Sequence, residues 1–407
     1  MTLLDDATSR ATDLAQLRHA FHQEPEVGLE LPRTQRRILD ALAGLPLEIT
    51  LGERLTSITA VLRGGRPGPV VLLRADMDAL PLLEAVDVPW RSRTDGAMHA
   101  CGHDLHTTML IGAAHLLAAR REELPGTVLL MFQPGEEGHD GAGRMLDEGV
   151  LDAAGRRPVA AYAVHVFSSR GEPGGFSSRV GPLMAASDVF TATVHGAGGH
   201  GSAPQLARDP IPAACEMTLA LQTMLTRTVD TFDPSVITVG SIHAGTAPNI
   251  IPDRAELQAT VRTFSKEIQD RVAAGMQRLC QGIAAAHGLD VETVYDRVYP
   301  VTINDAAETA FVAETVGSLW SPDRFTELAH PITGAEDFSK VIAEVPGAMV
   351  FLGAMPPGSS GERRPDNHSP YASFEDRVLA DGAALYAELA VRRLTAAASA
   401  GEESEKG

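Results

Sequence analysis

Side chains that commonly bind metal ions occur at four places along the sequence, and most of these places follow a predicted strand. They are Cys101, His103, Asp104 and His106 in MHACGHDLHTT, Glu136 and Glu137 in FQPGEEGHDGAG, His165 in VAAYAVHV, and His368 in DNHSPYASF. Thiolate, imidazole and carboxylate groups together suit borderline first-row ions such as Zn²⁺, Mn²⁺ or Co²⁺ better than Mg²⁺. The residue types therefore predict a transition-metal site.

Each of these groups has a simpler explanation when it is taken alone. A buried cysteine usually packs in a core, and two adjacent glutamates usually face solvent. A histidine within an apolar strand, such as His165, is usually a core residue with a satisfied hydrogen bond, and His368 alone would be an ordinary loop residue. Their joint occurrence at four independent positions is hard to obtain by chance, so it favours the metal site.

Asp76 and Asp78 form a further carboxylate pair in LLRADMDALP. Because they are two residues apart at a strand end, their side chains lie on one face. Either one could bind a metal ion, or orient a histidine that does. We assign Asp78 a supporting role, and the simpler alternative is a polar turn before Pro81.

Apolar segments alternate with helical patterns in the first part of the chain. The segments PVVLLRAD, TVLLMFQP and VAAYAVHV are typical of buried strands, and helices are predicted over residues 7–21 and 104–121. Continuous apolar strands interleaved with helices indicate an α/β fold, with a mostly parallel sheet flanked by helices on both faces. Such sheets carry their functional sites at the carboxyl ends of the strands, which is where the candidate ligands lie.

The pattern changes between residues 187 and 298 to strand, helix, strand, strand, helix, strand. This is the order of a ferredoxin-like α+β domain. After Pro300 the earlier alternation returns, so we expect this domain to be inserted into the α/β domain. The predicted boundaries are 1–184 and 300–398 for the two parts of the α/β domain, 185–299 for the insertion, and 399–407 for a charged, disordered tail.

The overall composition limits the partners. The chain has 407 residues and a formal net charge of −19, which disfavours binding to nucleic acid. No apolar run reaches the ~18 residues of a membrane span, and the first residues lack the pattern of a secretory signal. Three scattered cysteines, Cys101, Cys215 and Cys280, are too few for a disulfide framework and indicate a reducing compartment. We therefore expect a cytoplasmic protein with no nucleic-acid or membrane partner.

Taken in order, the motifs resemble the M20 metallopeptidase family, in particular its amidohydrolase branch of hippurate hydrolases, N-acyl-amino-acid amidohydrolases and auxin-conjugate hydrolases. The matching segments, from about residue 74 to about residue 370, are RADMDALP, MHACGHDLHTTMLIGAA, FQPGEEG, YAVHV, GGHGSAP, GTAPNIIPDRAELQATVRTF, GAEDF and NHSP. Their order and separation are far more specific than any single motif. The resemblance implies a di-metal exopeptidase-like α/β domain whose inserted domain is a lid.

The resemblance also implies two divalent transition-metal ions per subunit, drawn from Zn²⁺, Mn²⁺, Co²⁺ or Ni²⁺. The implied ligands are Cys101, His103, Glu137, His165 and His368. Glu136, which is next to a ligand and is not itself one, would be the general base that accepts a proton from a metal-activated water and gives it to the departing amine. The implied reaction is hydrolysis of the amide bond of a small N-acyl amino acid, with an N-acetyl, N-benzoyl or similar acyl group.

Three residues of the inserted domain also take roles by resemblance. His200 in GAGGHGSAP would reach the active site of the partner subunit and contact the oxyanion, in a homodimer formed through the lid domain. Asn249 and Arg262 would hold the carbonyl and the carboxylate of the substrate, and a guanidinium fork is well shaped for a carboxylate. The simpler alternative for Arg262 is a salt bridge on the strand surface.

Two features depart from the usual pattern of the family. Ala197 stands where many relatives have a basic residue, so a contact to a substrate anion would be missing. His139 and Asp140 stand where relatives often have small residues, and they either touch the pocket or face solvent. Neither departure removes a proposed ligand or the proposed base.

Two other functions stay open at the level of the sequence. A di-metal aminopeptidase or dipeptidase of the same architecture would recognise a free α-amine instead of an acyl group. A noncatalytic scaffold with a degenerate hydrolase fold would have lost ligands or the base, whereas here every proposed position is filled.

Overall fold

The chain folds into two compact units in the computed structural model, which describes residues 2–356 and 365–404. The first unit comprises Met1–Leu183, Ile303–His330 and Lys340–Gly407, and the second comprises Met184–Thr302 and Pro331–Ser339. The insertion expected over 185–299 falls inside the second unit. The later segment joins it because Ala185 N–H donates to Ile332 O at 3.2 Å and Gly334 O at 2.9 Å.

The described residues form ten α-helices and sixteen strands. The helices are α1 Leu3–Ser9, α2 Ala11–Gln23, α3 Pro32–Leu42, α4 His103–Ala119, α5 Gly141–Asp147, α6 Pro210–Thr228, α7 Lys266–Ala286, α8 Ala306–Leu319, α9 Phe338–Glu344 and α10 Val378–Ser404. The strands are β1 Glu48–Leu51, β2 Ile58–Arg63, β3 Arg66–Asp76, β4 Pro125–Gln133, β5 Ala160–Phe167, β6 Phe176–Ser178, β7 Gly181–Met184, β8 Ser187–His195, β9 Gly199–His200, β10 Val236–Ala244, β11 Ile250–Ile251, β12 Arg254–Arg262, β13 Asp290–Tyr299, β14 Thr302–Asn304, β15 Phe325–Glu327 and β16 Gly347–Gly353. None of the described helices is both long enough and apolar enough to pass through a lipid bilayer.

The main sheet of the first unit has eight strands within the described residues, in the order β1-β2-β4-β3-β5-β16-β6-β15. Its central pairs β4–β3, β3–β5 and β5–β16 are parallel, with Leu73 opposite both Leu130 and Tyr162. The pairs β1–β2, β2–β4 and β6–β16 are antiparallel. β5 and β16 are buried at every residue, as expected for apolar strands in a sheet flanked by helices.

The helix α4 lies in the core of the first unit and carries part of the site at its start. It is buried continuously from His103 to Ala114 and packs against β3 and α10. Tyr386 of α10 joins two strands beneath it, because its hydroxyl donates to Arg74 O at 2.6 Å and accepts from Val164 N–H at 2.8 Å. This bridge fixes β3 relative to β5 close to the ends that carry the candidate ligands.

The second unit contains a four-stranded antiparallel sheet in the order β10-β12-β8-β13, on which α6 and α7 pack. Alternate residues of β8, namely Phe190, Ala192 and Val194, are buried in the core of this unit, as the period of a strand requires. Along the chain, β8-α6-β10-β12-α7-β13 is the order of a ferredoxin-like domain. The predicted fold class, α/β with an inserted α+β ferredoxin-like domain, is confirmed.

Two local predictions were wrong. The single helix predicted over 7–21 is two helices, because Arg10 leaves the helical conformation at φ −97° and ψ 1°. The tail predicted to be disordered over 399–407 instead continues α10 as far as Ser404. Ala396, Ala397, Ala398 and Ala400, at the start of this segment and just before it, are strong helix formers. The last three positions, 405–407, lie outside the described residues.

Candidate metal centre

The turn before α4 places two candidate ligands on either side of a glycine. Gly102 has φ +83°, a left-handed conformation that glycine adopts without strain. A side chain at this position would also collide with β5, because its Cβ would lie 2.4 Å from Val166 Cγ2. The turn therefore requires glycine, and it brings Cys101 and His103 close to His165.

All five predicted ligands lie together at the carboxyl end of the parallel strands. Cys101 Sγ is 3.5 Å from His165 Nε2, and His368 Nε2 is 3.1 Å from Glu137 Oε1. His103 Nε2 lies 3.9 Å from the same Glu137 oxygen. Among the groups of donor atoms that lie within 4.8 Å of one another, three consist only of predicted ligands and Glu136: Cys101, His103 and His165; Cys101, Glu137 and His368; and His103, Glu136 and Glu137. Another group joins His103 to Asp76 and His106.

The hydrogen bonding of these side chains fits a bound cation. Both ring nitrogens of His103 are buried without a hydrogen-bond partner, although they lie 3.4 to 3.9 Å from carboxylate oxygens. His165 Nδ1 is also buried and unpartnered. Leaving such groups unsatisfied is costly, so a ligand or ion that engages His103 would stabilise this arrangement. A thiol, three imidazoles and a carboxylate are a donor set for borderline first-row metal ions.

Burial and neighbouring charges shift the pKa values of the cluster. Burial, followed by the Glu137 carboxylate, raises the pKa of the Cys101 thiol. Hydrogen bonds to Cys101 and then to Glu137 raise the pKa of His368 to about 10. Burial and the nearby His106 lower the pKa of His165 well below its usual range. A bound cation would favour the thiolate and the neutral imidazoles, which are the forms that bind metals.

The turn after β4 carries Glu136 and Glu137 and is held by Asp78. The backbone N–H of Glu136 donates to Asp78 Oδ1 at 3.0 Å, and that of Glu137 donates to Asp78 Oδ2 at 3.1 Å. Asp78 Oδ1 also lies 3.4 Å from His103 Nδ1. Glu136 is buried, with 7% of its surface exposed, and a carboxylate oxygen of it lies among the donor atoms of the cluster. Asp78 thus positions the pair, and Glu136 stands beside the candidate ligands.

His106 lies on α4 one turn after His103, but both of its ring nitrogens are engaged. Val166 N–H donates to His106 Nε2 at 2.8 Å, so Nε2 carries no proton. Nδ1 therefore carries the proton and donates to Asp76 Oδ1 at 2.6 Å. His106 joins β3 to β5 and is not available to an ion in this arrangement. The i, i+3 spacing of the two histidines is the only sequence signal for this link.

Two buried aspartates beside the cluster are kept ionised by arginine. Asp76 Oδ2 lies 2.7 Å from Arg74 Nη1, which lowers the pKa of Asp76 well below its usual range against the effect of burial. Asp104 Oδ2 lies 2.7 Å from Arg18 Nε and 2.8 Å from His22 Nδ1, and these cations lower the pKa of Asp104 in the same way. Asp104, a candidate ligand by its position in the sequence, instead links α4 to α2.

His139 and Asp140 have local partners in the first unit. His139 is exposed, and its ring stands over Gly28, where an added Cβ would lie 3.5 Å from His139 Nε2. Asp140 has φ +57° and accepts a hydrogen bond from Gly143 N–H at the start of α5. Its Oδ1 also lies 2.7 Å from Lys340 Nζ. Both residues therefore contribute to local packing and to the helix start.

The second unit brings two of its three predicted site residues together. His200 in β9 pairs with Ile250 in β11, and Gly201 N–H donates to Asn249 O at 2.8 Å. Ser202 N–H donates to His200 Nδ1 at 3.1 Å, so the proton of the neutral ring is on Nε2. His200 is exposed, which leaves this N–H free to reach another group.

Arg262 lies in the four-stranded sheet, whereas His200 lies in the separate two-stranded sheet of β9 and β11. Arg262 is the last residue of β12, whereas β12 begins at Arg254, close to His200 and Asn249. At ~3.3 Å per residue, the two ends of the strand are about 26 Å apart. The Arg262 guanidinium donates to Ser187 Oγ at 2.7 Å. The second unit therefore does not bring Arg262 together with His200 and Asn249.

A cluster of thiol, imidazole and carboxylate groups at the carboxyl ends of parallel strands is the arrangement of a metal-dependent hydrolase. Residues 72–392 match the profile of peptidase family M20/M25/M40. The chain belongs to this family, and the resemblance inferred from its motifs is confirmed.

Relatives with known names align over nearly the whole chain. Thermostable carboxypeptidase 2 of Saccharolobus solfataricus is 37% identical, covering 93% of this chain and 95% of that protein. N-acetylcysteine deacetylase of Bacillus subtilis is 36% identical over 93% of this chain and 96% of its own length. Hippurate hydrolase of Campylobacter jejuni is 34% identical over 97% of this chain and 100% of its own length.

A solved structure of similar fold is that of the Bacillus subtilis YxeP protein, described as a dinuclear metal-binding peptidase of family M20. It is 33% identical to this chain, with a TM-score of 0.81, and covers 95% of this chain and 99% of its own.

Proposed function

We propose that this protein is a metal-dependent amidohydrolase that splits the amide bond of N-acyl amino acids. The observation that carries the proposal is the convergence of five ligand side chains and Glu136 at one edge of the sheet. Relatives whose names specify an N-acetyl or N-benzoyl amino acid substrate support the same substrate class. Three free cysteines support a cytoplasmic location.

Two divalent transition-metal ions would be held by the side chains of the cluster. The residues are Cys101, His103, Glu137, His165 and His368. Two of these donor groups share Glu137, and this overlap supports two neighbouring ions. When bound, such ions polarise the scissile carbonyl and acidify the attacking water.

Glu136 is the general base in this proposal. Its carboxylate accepts a proton from the attacking water and gives it to the nitrogen of the departing amino acid, so one residue serves both halves of the reaction. Glu136 suits the role because the turn that carries it is fixed by Asp78, while the neighbouring Glu137 faces His368. Its burial keeps bulk water from competing for the proton.

His200, Asn249 and Arg262 contact the substrate from two subunits. A small substrate cannot touch both ends of β12 at once, because these ends are about 26 Å apart. A homodimer in which His200 and Asn249 come from the partner subunit removes this conflict. The Nε2–H of His200 is then a donor to the oxyanion of the tetrahedral intermediate, and the Arg262 fork receives the substrate carboxylate.

The experiment is a panel of substrates on protein reconstituted with each metal ion in turn. N-acetyl and N-benzoyl amino acids are compared with unblocked dipeptides of the same C-terminal residue. Hydrolysis confined to the acylated compounds supports the proposal. Hydrolysis of the unblocked dipeptides alone would establish the second candidate, a di-metal peptidase, which the carboxypeptidase among the relatives favours.

A further inference from the structure

Asn367 lies directly before the candidate ligand His368, and its side chain bonds to two other parts of the site. Its Nδ2 group donates to Val166 O at 2.9 Å and to Cys101 O at 3.2 Å. Its Oδ1 accepts from Ser168 N–H at 3.0 Å and from the Ser168 hydroxyl at 3.1 Å. One amide thus joins three segments of the first unit that are far apart in the chain.

The orientation of this amide follows from its partners. The two carbonyl oxygens can only accept hydrogen bonds, so they require the NH₂ group. The backbone N–H of Ser168 can only donate, so it requires the oxygen. A flipped amide would lose all three bonds to the backbone, and the assignment of oxygen and nitrogen is therefore fixed by chemistry.

Each partner of Asn367 adjoins a candidate metal ligand. Val166 follows His165, and the Cys101 carbonyl belongs to a candidate ligand itself. The Nδ2 group also lies 3.7 Å from Cys101 Sγ, within the range of an N–H···S hydrogen bond. The backbone N–H of His368 donates to Ala100 O at 3.0 Å. The loop is therefore attached to the Cys101 segment by two bonds, one from the Asn367 side chain and one from the His368 backbone.

His368 needs such support because its backbone is strained. It has φ +68°, a left-handed conformation that costs a non-glycine residue about 1–2 kcal/mol. A side chain in this conformation stays in place only when surrounding contacts fix it. The bonds made by Asn367 and by the His368 N–H are those contacts.

We propose that Asn367 is a positioning residue for the metal centre, which holds Cys101, His165 and His368 in register and donates an N–H···S bond to the Cys101 thiolate. This inference rests on the proposed function, because it needs Cys101 to be a metal ligand. Groups that orient ligands in this way typically change metal affinity about 10–100-fold when they are removed.

Cobalt binding tests the inference without reference to any substrate. Co²⁺ affinity is measured by competition with a chelator, and the thiolate-to-cobalt charge-transfer band reports the state of Cys101. Asn367→Leu keeps the size of the side chain but removes its hydrogen bonds, and Asn367→Ala is the second variant in case the leucine disturbs folding. We expect both to bind Co²⁺ about 10–100-fold more weakly and to shift the band to lower energy, because the sulfur loses a hydrogen bond.

Asp366→Asn is the matched control in the same loop. Asp366 accepts from Arg170 Nη2 at 2.7 Å, from Ser169 Oγ at 2.7 Å and from the backbone N–H of Asn367 at 3.0 Å, and the described hydrogen bonds of its side chain include none to a candidate ligand. Asparagine keeps an oxygen that can accept the bond from Asn367. The control should keep the affinity and the band of the wild type. Wild-type affinity and an unshifted band in the Asn367 variants would overturn the inference, as would an equal loss in the control. A wild-type protein that binds no Co²⁺ would overturn the proposed function, and the inference with it.

Discussion

At the scale of single residues, neighbouring side chains of one type differ in whether they are available to bind a metal ion, because they have different hydrogen-bond partners. His103 and His106 occupy one face of α4, yet the ring nitrogens of His103 have no hydrogen-bond partner while both of those of His106 do. Glu136 and Glu137 are adjacent, yet Glu137 faces His368. Residue type alone therefore does not separate a ligand from a residue that supports one.

Glu136 and Glu137 should respond differently to the same substitution. Glu136→Gln should retain both metal ions and lose about 10²–10⁴-fold in kcat, because the amide cannot accept the proton of the attacking water. Glu137→Gln should instead lose metal, because an amide is a weaker ligand than a carboxylate. Metal content and hydrolysis of an N-acyl amino acid are measured on both variants. Near-normal turnover in metal-loaded Glu136→Gln protein would show that another group is the base.

At the scale of elements, the site depends on how α4 is joined to its neighbours. The turn at Gly102 fixes the start of the helix against β5, and the Asp104 carboxylate fixes the same turn of the helix against α2. Both links are buried, so each one connects packing in the core to the position of Cys101 and His103.

Substitution of Gly102 should lower the free energy of unfolding for two separate reasons. Alanine at φ +83° loses about 1–2 kcal/mol through its left-handed backbone, and its Cβ would also collide with Val166. Gly149→Ala is the matched control, because Gly149 has φ +82° and nothing within 4 Å of an added Cβ. Denaturant unfolding of both variants should show a larger loss for Gly102→Ala, together with weaker Co²⁺ binding. Equal losses in stability would mean that the contact with β5 is unimportant.

The link from Asp104 to α2 predicts a dependence of stability on pH. The pKa of Asp104 is lowered in the folded protein. The ionised carboxylate therefore contributes fully to the free energy of unfolding above pH 3.8, its unfolded pKa, and this contribution is lost progressively as the pH falls below 3.8. Asp104→Asn should lower the free energy of unfolding by about 1–3 kcal/mol at neutral pH, because Arg18 and His22 lose the carboxylate that they share and Arg18 keeps only its contact with Asp376 at 3.2 Å.

The difference between wild type and Asp104→Asn should therefore shrink as the pH falls below 3.8 and stay constant just above it. Unfolding is followed on metal-free protein, so that loss of metal in acid does not contribute. Asp87→Asn, at an exposed position, serves as the control and should change stability by less than about 0.5 kcal/mol. A pH-independent difference for Asp104→Asn would contradict the ionised pair.

At the scale of the whole molecule, the second unit separates two groups of residues that are proposed to contact one small substrate. His200 and Asn249 lie near one end of the ferredoxin-like sheet and Arg262 lies at the other. The proposed dimer supplies the first group from the partner subunit. The active site would then be complete only in the assembled molecule.

Mixing inactive variants tests this arrangement. In a heterodimer of Glu136→Gln and His200→Ala subunits, one of the two sites combines an intact Glu136 with an intact His200 from the partner subunit. Random pairing in a twofold dimer should restore about a quarter of the wild-type activity. The measurement is hydrolysis after the two inactive variants are mixed and allowed to exchange subunits. No recovery in mixtures shown to contain heterodimers would place His200 in the same subunit as the base.

The sequence by itself determined the fold class, the family and a set of candidate metal ligands. Apolar runs such as PVVLLRAD predict buried parallel strands because the alternation of buried and exposed positions is absent. Glu136, Glu137 and His165, which lie at or just after the ends of parallel strands, then predict a site, since such strands end at the same edge of a sheet. Cys101, His103 and His368 come instead from the start of α4 and from a loop. Both inferences use local patterns, which a sequence records directly.

Only the tertiary structure decided which of these side chains face the candidate metal centre and which connect structural elements. Asp104 and His106 belong to the same motif as Cys101 and His103, but Arg18 and Val166, which bind to them, come from distant segments. The role of Asn367 has the same origin, because its three backbone partners lie on other segments. These roles depend on hydrogen bonds between groups that are far apart in the chain, and no local pattern specifies those pairs.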